Sequence, residues 1–297
     1  MPKISICIPT YNRQDFLLKA IDSCINQTLR PYEILVGDDS TSNSSKQVIS
    51  EIQKQVGIEI KYFDHEPSLG QQKNVAYLFS KSCGDYVVLL HDDDELENTA
   101  LENMVNCFNI EQNIVAVYGK QTFLLEDDTP FDDSVNLNNL FFRNAKYQGP
   151  QKNSLKMAIL QQFPNDGYMV KSDIIKKIDY ANLGGRDAVD FFFALSVSKY
   201  GNFYFLDKYT ARYRVMKKAI SKNANNNAGY MSFQHVYENF SEQDPQIENW
   251  LRQKSPVAIV QAVKLRDKNS ARRWFFSKYH RHKILTLGGI KRFFMIL

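Results

Sequence analysis

Several things that would settle a function quickly are missing from this chain. Across 297 residues no window reaches the roughly 18 consecutive apolar residues that a membrane-crossing helix needs. Its four cysteines, Cys7, Cys24, Cys83 and Cys107, form no CxxC pair and lie in apolar-periodic segments. They read as reduced core residues, which excludes a disulfide framework and a zinc site. Glycine-rich phosphate loops are absent too. The first turn reads PTYNRQD, with no GxGxxG, and there is no P-loop, so dinucleotide and P-loop chemistry drop out. His65, His235, His280 and His282 share no ligand spacing. The start MPKISICIPTYNR enters a strand pattern without the charged, apolar and cleavage regions of a signal peptide, so a cytoplasmic protein is expected.

What is present is ordinary in amount and unusual in placement. Apolar residues make up 43% and charged residues 24%, enough for one large α/β domain with or without a small appendage. The net charge of +4 hides an asymmetry: from Lys264 onward there are ten Lys/Arg and one acid, leaving 27 basic and 32 acidic residues before it.

Up to about residue 115, strand and helix patterns alternate. ISICIP (Ile4–Pro9) is an almost unbroken apolar run, as for a strand buried on both faces. Phe16, Leu17, Ala20, Ile21, Cys24 and Ile25 then recur at helical spacing. EILVG, IEIKYF and Tyr86–Leu90 read as further strands, with helices around Val48–Ile52 and over Gln71–Lys81 between them. This alternation predicts βαβ units and a mostly parallel sheet flanked by helices. Beyond it, AVYGKQTFLL, Tyr168–Val170, Phe203–Leu206 and Tyr209–Val215 read as strands around a helix at Asp190–Tyr200. The acidic stretch EDDTPFDDS between them fits no EF-hand loop and reads as a solvated excursion. Asn165-Asp166-Gly167 reads as a turn. Ala219–Gly229, with its NANNN core, reads as a flexible boundary; residues 1–218 are expected to form the catalytic domain and 219–297 a flexible segment plus a basic, amphipathic, helical region.

The polar clusters fall where strands end. Strand one runs into Pro9-Thr10-Tyr11-Asn12, strand two into Asp38-Asp39-Ser40, strand four into His91-Asp92-Asp93-Asp94. In an open parallel sheet these carboxyl ends share one edge, where ligands bind. Clustered carboxylates repel a bare diphosphate and accept one that carries Mg²⁺ or Mn²⁺. A metal-bound nucleoside diphosphate without a glycine loop is the arrangement of nucleotide-sugar enzymes.

From Lys3 to Ser221 the chain resembles family 2 glycosyltransferases of the GT-A fold. The resemblance is carried by KISICIPTYNRQDFLLKAIDSCINQT, YEILVGDDSTS, LGQQKNVAYLFSKSCGDYVVLLHDDDEL and VDFFFALSVSKYG, in that order and spacing. It implies that Pro9, Thr10, Tyr11 and Asn12 pack around the nucleotide base and that Asp39 accepts a hydrogen bond from the uracil ring. Lys73 and Asn74 stand at the family's Arg-Asn. Asp93 matches the metal ligand of the family's DxD, with Asp92 and His91 near ribose and sugar. Asp190 matches the general base of an inverting single displacement. Tyr213-Arg214 and Ser221 resemble the strand end and loop that close over the donor. Two positions depart from the pattern: His91 replaces the usual first Asp of DxD, and Val189 replaces a Glu before the catalytic Asp. Asp187 is a rival base, or a helix N-cap.

The resemblance therefore implies a metal-dependent transferase moving a sugar from a nucleotide-sugar donor, a UDP-sugar, to a glycan or lipid-linked acceptor in polysaccharide assembly. A catalytically silent relative that binds nucleotide or a partner, and a sugar nucleotidyltransferase, remain as alternatives. The tail ARRWFFSKYHRHKILTLGGIKRFFMIL interleaves cations with aromatic and aliphatic residues. That pattern suits either an anionic membrane surface on the inner face of the cytoplasmic membrane or packing on the catalytic domain or a second subunit. Nucleic acid is not expected, because the remaining surface is acidic.

Overall fold

The computed structural model describes residues 2–41, 44–216, 226–240 and 244–297. Ser221, and most of the expected flexible stretch Ala219–Gly229, lie outside the described residues.

In chain order the elements begin β1 (Ile4–Thr10), α1 (Gln14–Ile25), β2 (Glu33–Asp38), α2 (Ser44–Val56), β3 (Glu59–Asp64), α3 (Gln71–Lys81) and β4 (Tyr86–Leu89). They continue with β5 (Glu95–Leu96), α4 (Ala100–Cys107), β6 (Ile114–Leu125), α5 (Ser134–Leu140), β7 (Gly149–Gln151) and α6 (Ser154–Ile159). Then come β8 (Tyr168–Lys171), α7 (Ser172–Ile175), α8 (Val189–Val197) and β9 (Asn202–Val215). Four helices follow: α9 (Ala228–Asn239), α10 (Pro245–Lys264), α11 (Lys268–Phe275) and α12 (Leu287–Ile296).

Among the described residues the strands form one sheet in the order β3-β2-β1-β4-β8-β6-β9-β5, with β7 on β9. β3, β2, β1 and β4 run parallel, in register from Thr10 beside Asp38. β6 and β9 are parallel to each other, while β8 lies antiparallel between β4 and β6. The sheet is thus mostly parallel, as the alternation of patterns implies. The two stretches Phe203–Leu206 and Tyr209–Val215 are one strand, β9, not two. The polar pair Asp207-Lys208 that separates them in sequence sits at a register shift opposite Gly119 and Lys120. Gly119 is needed there, because a Cβ would collide with the Lys208 carbonyl.

The core lies where the apolar runs meet. Every residue of β1 and β2 is buried, and Ile6, Ile8, Ile34 and Val36 are fully enclosed. Leu17, Ala20, Ile21 and Cys24 of α1 pack into the same cluster. Three of the cysteines are buried, as expected; Cys83 is exposed in the turn before β4, and all four are unpaired. Cys83 follows the C-terminus of α3, where the chain leaves the sheet face, so helical spacing carries no burial there.

Two compact units divide the chain: residues 1–183 with 193–217, and residues 184–192 with 218–297. The first holds the sheet. The second is mainly helical, with Phe233 against Trp274 and Phe191 stacked on Trp250. Asp244 caps α10 by accepting the Gln246 and Ile247 N–H groups. Among the described residues no helix is long and apolar enough to cross a membrane.

Candidate active site

The carboxyl ends of β1, β2 and β4 bring three of the sequence clusters together. β4 carries Val87, Val88 and Leu89, and Leu90 follows them; all four are fully buried. Each contributes roughly 1.5–3 kcal/mol by leaving water, which anchors the strand and delivers His91-Asp92-Asp93-Asp94 to the sheet edge. Two like charges about 4 Å apart near a protein surface repel by about 4 kcal/mol. The repulsion among three adjacent carboxylates is of the same order as this anchoring, and two cations relieve it.

Arg13, just before α1, is one of them. Its guanidinium reaches Asp92 at 3.1 Å and Asp93 at 2.6 Å. Asp93 and Asp92 raise the Arg13 pKa although burial works against its charge. Asp92 also accepts the Thr10 hydroxyl at 2.8 Å and the Tyr11 N–H at 3.3 Å. Burial, then the neighbouring Asp93, pushes the Asp92 carboxyl up from its usual range.

The second cation is Arg214 at the end of β9, almost completely buried. Its Nε donates to the Asp93 carbonyl at 2.9 Å, and its backbone N–H to Asp94 Oδ1 at 2.6 Å. Nη2 pairs with Glu95 at 2.7 Å, while Nη1 bonds the Leu125 carbonyl and pairs with Asp128. The loop EDDTPFDDS is exposed at most of its positions, as expected of a solvated excursion, and is tied down at Asp128, which also pairs with Lys19 at 2.6 Å.

Asp166 lies beneath the cluster. It is fully buried, with Oδ2 accepting the His91 N–H at 3.0 Å and Oδ1 accepting Gln121 Nε2 at 3.3 Å. Gln121 is held in turn by Arg143, also buried, at 2.6 Å. Burial first, then the charges of Asp166 and Asp93, drive the Asp94 carboxyl well above its ordinary range. The segment Asn165-Asp166-Gly167 does turn, with Gly167 in the left-handed region, but its aspartate is a structural partner of the acidic cluster.

On the β1–β2 side, Asp38 is spent locally: Oδ1 accepts the Ser40 N–H at 2.8 Å and Oδ2 the Tyr62 hydroxyl at 2.6 Å. Asp39, also buried, accepts the Leu69 N–H at 3.0 Å, which leaves carboxylate capacity for another donor. Pro9 sits beside Gly37, beyond the last β4 pairing at Cys7, so its missing N–H costs no ladder bond. Asn12 has positive φ, accepts the Thr41 N–H and donates its own N–H to Ser40 Oγ at 2.7 Å, locking the two turns together. Tyr11 stands over half exposed beside them.

Lys73 and Asn74 part company. Lys73 is exposed in the first turn of α3, whereas Asn74 is buried and donates to the Gly37 carbonyl at 2.8 Å. Asp190 occupies the first turn of α8, in the second unit. Asp187, in the 3₁₀ turn before it, accepts the Asn227 N–H at 2.9 Å.

The donor set for a cation is specific. One ligand atom each from His91, Asp93 and Asp94 lie within 4.8 Å of one another, close enough for small side-chain movements to bring them onto one ion with bonds of about 2.0–2.1 Å. Asp94 Oδ2 is buried without a hydrogen-bond partner among the described residues, an orphaned acceptor of the kind a cation satisfies. Carboxylates suit Mg²⁺ and Mn²⁺, and the imidazole favours the latter. The residues fit a divalent ion. The resemblance assigns Asp93 as a ligand and leaves Asp94 without a role, although the third consecutive Asp was an available signal; it places Arg214 at a closing strand end, and Asp166 reads only as part of a turn.

Comparisons with known proteins give the family and the fold. Residues 5–162 match glycosyl transferase family 2. The GalNAc(5)-diNAcBac-PP-undecaprenol beta-1,3-glucosyltransferase of Campylobacter jejuni is 39% identical over 110 residues, 37% of this chain. The match spans 35% of that relative's length. Among solved structures, S. aureus TarS 1-349 in complex with UDP-GlcNAc superposes with a TM-score of 0.61 at 14% identity, covering 98% of this chain and 79% of that one. The mannosyltransferase PcManGT from Pyrobaculum calidifontis, in complex with GDP-Man and Mn²⁺, gives 0.59 at 11% identity, covering 99% and 85%. The chain belongs to glycosyl transferase family 2, a family of glycosyltransferase enzymes, and has their GT-A fold.

Proposed function

We propose that this protein transfers a sugar from a UDP-sugar to a hydroxyl of a glycan or lipid-linked acceptor, with inversion at the anomeric carbon. The observation that carries the reading is the convergence of Thr10, Asp39, Asp92, Asp93 and Asp94 at the carboxyl edge of β1, β2 and β4. Support for the donor comes from the UDP-GlcNAc complex of TarS, and for the acceptor class from the undecaprenol-linked substrate in the name of the Campylobacter relative.

In this reading Tyr11 and the Pro9–Asn12 turn pack on the base, and Asp39 accepts a hydrogen bond from the uracil ring. Asp92 and His91 orient ribose and sugar. Asp93, with Asp94 and His91, holds Mg²⁺ or Mn²⁺, which would neutralise the charge of the departing diphosphate. Arg13 balances Asp92 and Asp93 in the ligand-free site. Asp190 takes the proton of the acceptor hydroxyl as that oxygen attacks the face opposite the leaving group. The Asp190 role rests on the match of VDFFFALSVSKYG to the family pattern. Residues 1–218 form the catalytic part in this account, and 219–297 an accessory helical region. The test is Asp190→Asn: transfer should fall by roughly 10²–10⁴-fold with UDP binding retained. Undiminished turnover would remove Asp190 from the mechanism.

A further inference from the structure

The last stretch of the second unit presents a surface that the transferase reading leaves without a role. The 3₁₀ turn Arg281–Lys283 leads into α12, whose N-cap Thr286 accepts the Gly289 N–H at 3.0 Å. Gly289 is pressed against the Lys283 and Ile284 carbonyls, so closely that no Cβ would fit, and Ile296 is buried at the other end. These contacts fix which way the helix faces. The opposite stripe, at helical spacing, is Leu287, Ile290, Lys291 and Phe294. Leu285 is 92% exposed, Leu287 89% and Phe294 69%, far beyond what a scattered surface leucine explains.

Charge identifies the occupant. From Lys268 to Leu297 there are eight Lys/Arg and no acid. The side chains of Arg281 and Lys291 make no hydrogen bond or ion pair among the described residues, while Arg273 and Lys278 pair with Glu238 and Glu248. A second copy of the chain docking on this stripe by a two-fold contact would face these cations with their own duplicates, and the segment offers no acid to offset them. An apolar ridge flanked by unpaired cations matches the interface of an anionic bilayer.

We propose that α12 and the turn before it form a membrane-docking surface for anionic lipid. Leu285, Leu287, Ile290 and Phe294 enter the headgroup–acyl boundary, and Arg281 and Lys291 meet the lipid phosphates. The proposal rests on none of the catalytic assignments and survives their failure.

The test is co-flotation of the full chain with vesicles of phosphatidylglycerol mixed into phosphatidylcholine, against vesicles of phosphatidylcholine alone. Binding to the anionic vesicles should weaken about tenfold or more when phosphatidylglycerol is omitted or salt is raised. The double variant Leu285→Ser/Leu287→Ser should lose binding to a similar extent with an unchanged melting temperature. Arg281→Gln/Lys291→Gln, which leaves the apolar ridge intact, should weaken binding and flatten the salt dependence. No flotation with anionic vesicles at low salt overturns the proposal, as does equal binding by the Ser variant. Sedimentation showing a dimer that the Ser variant dissolves, without vesicle binding, would assign the surface to a second copy instead.

Discussion

Arg214 bonds Asp93 and Asp94 through two different parts of itself: its guanidinium Nε holds the Asp93 carbonyl at 2.9 Å, and its backbone N–H holds Asp94 Oδ1 at 2.6 Å. The acidic turn after β4 is thereby fastened to the end of a strand 120 residues further along. A lysine keeps the charge but cannot reproduce the planar fork that also reaches Glu95, Asp128 and the Leu125 carbonyl. Arg214→Lys should cost roughly 1.5–3 kcal/mol in unfolding free energy and weaken Mn²⁺ binding roughly 10–100-fold. Thermal unfolding and Mn²⁺ calorimetry read the two effects separately. A variant with wild-type metal affinity would show that Arg214 is only a clamp.

Asp166 acts from below. Its two oxygens hold the His91 N–H and Gln121, and an asparagine can accept only one of those bonds. Asp166→Asn should leave the fold intact, because it also removes a buried like charge facing Asp94, yet weaken Mn²⁺ binding by about tenfold or more. Circular dichroism together with a Mn²⁺ titration checks both halves. Unaltered affinity would take Asp166 out of the metal site's support.

Much of this architecture can be read from the chain, and the reasons for the rest are physical. The helix Gln71–Lys81 and the acidic strand ends are legible because helical spacing and unbroken apolar runs are local signals. The ties of Asp166 and Arg214 to the acidic cluster are not. NDG looks like any turn, and its burial comes from β8 sliding antiparallel between β4 and β6, a pairing no local pattern encodes. β9 looks like two strands because its mid-strand bulge places Asp207 and Lys208 where alternation would demand apolar residues.

Asn74 and Gly37 constrain each other. The asparagine donates to the Gly37 carbonyl, and a Cβ on Gly37 would collide with Asn74 Oδ1. Gly37→Ala should destabilise by roughly 1–3 kcal/mol. Adding Asn74→Ala should recover part of that loss, so the two changes are not additive. A double-mutant cycle by urea unfolding decides it; additive losses would refute the coupling.

His280 makes the helical unit acid-sensitive. It is buried against Ser255, with Arg292 Nε on its second ring nitrogen, and burial, then Arg292, Lys283 and His282, bring its pKa down from 6.5 to about 4. In the unfolded chain this group protonates near pH 6.5, while in the folded chain it stays neutral until about pH 4. The unfolded state therefore binds more protons between these values, and stability falls as pH drops through that window, by on the order of 3 kcal/mol at most. His280→Gln should flatten the dependence of the melting temperature between pH 6.5 and 4. An unchanged slope would place the acid sensitivity elsewhere.

The most direct test of the whole account is calorimetry of UDP, GDP and dTDP on the wild-type chain and on Asp93→Ala, each with and without Mn²⁺. The account predicts that UDP binds best, that Mn²⁺ tightens its binding at least tenfold, about 1.4 kcal/mol, and that Asp93→Ala abolishes this gain. Binding of UDP that ignores both the metal and Asp93, or no binding of any nucleotide to the folded protein, would contradict it.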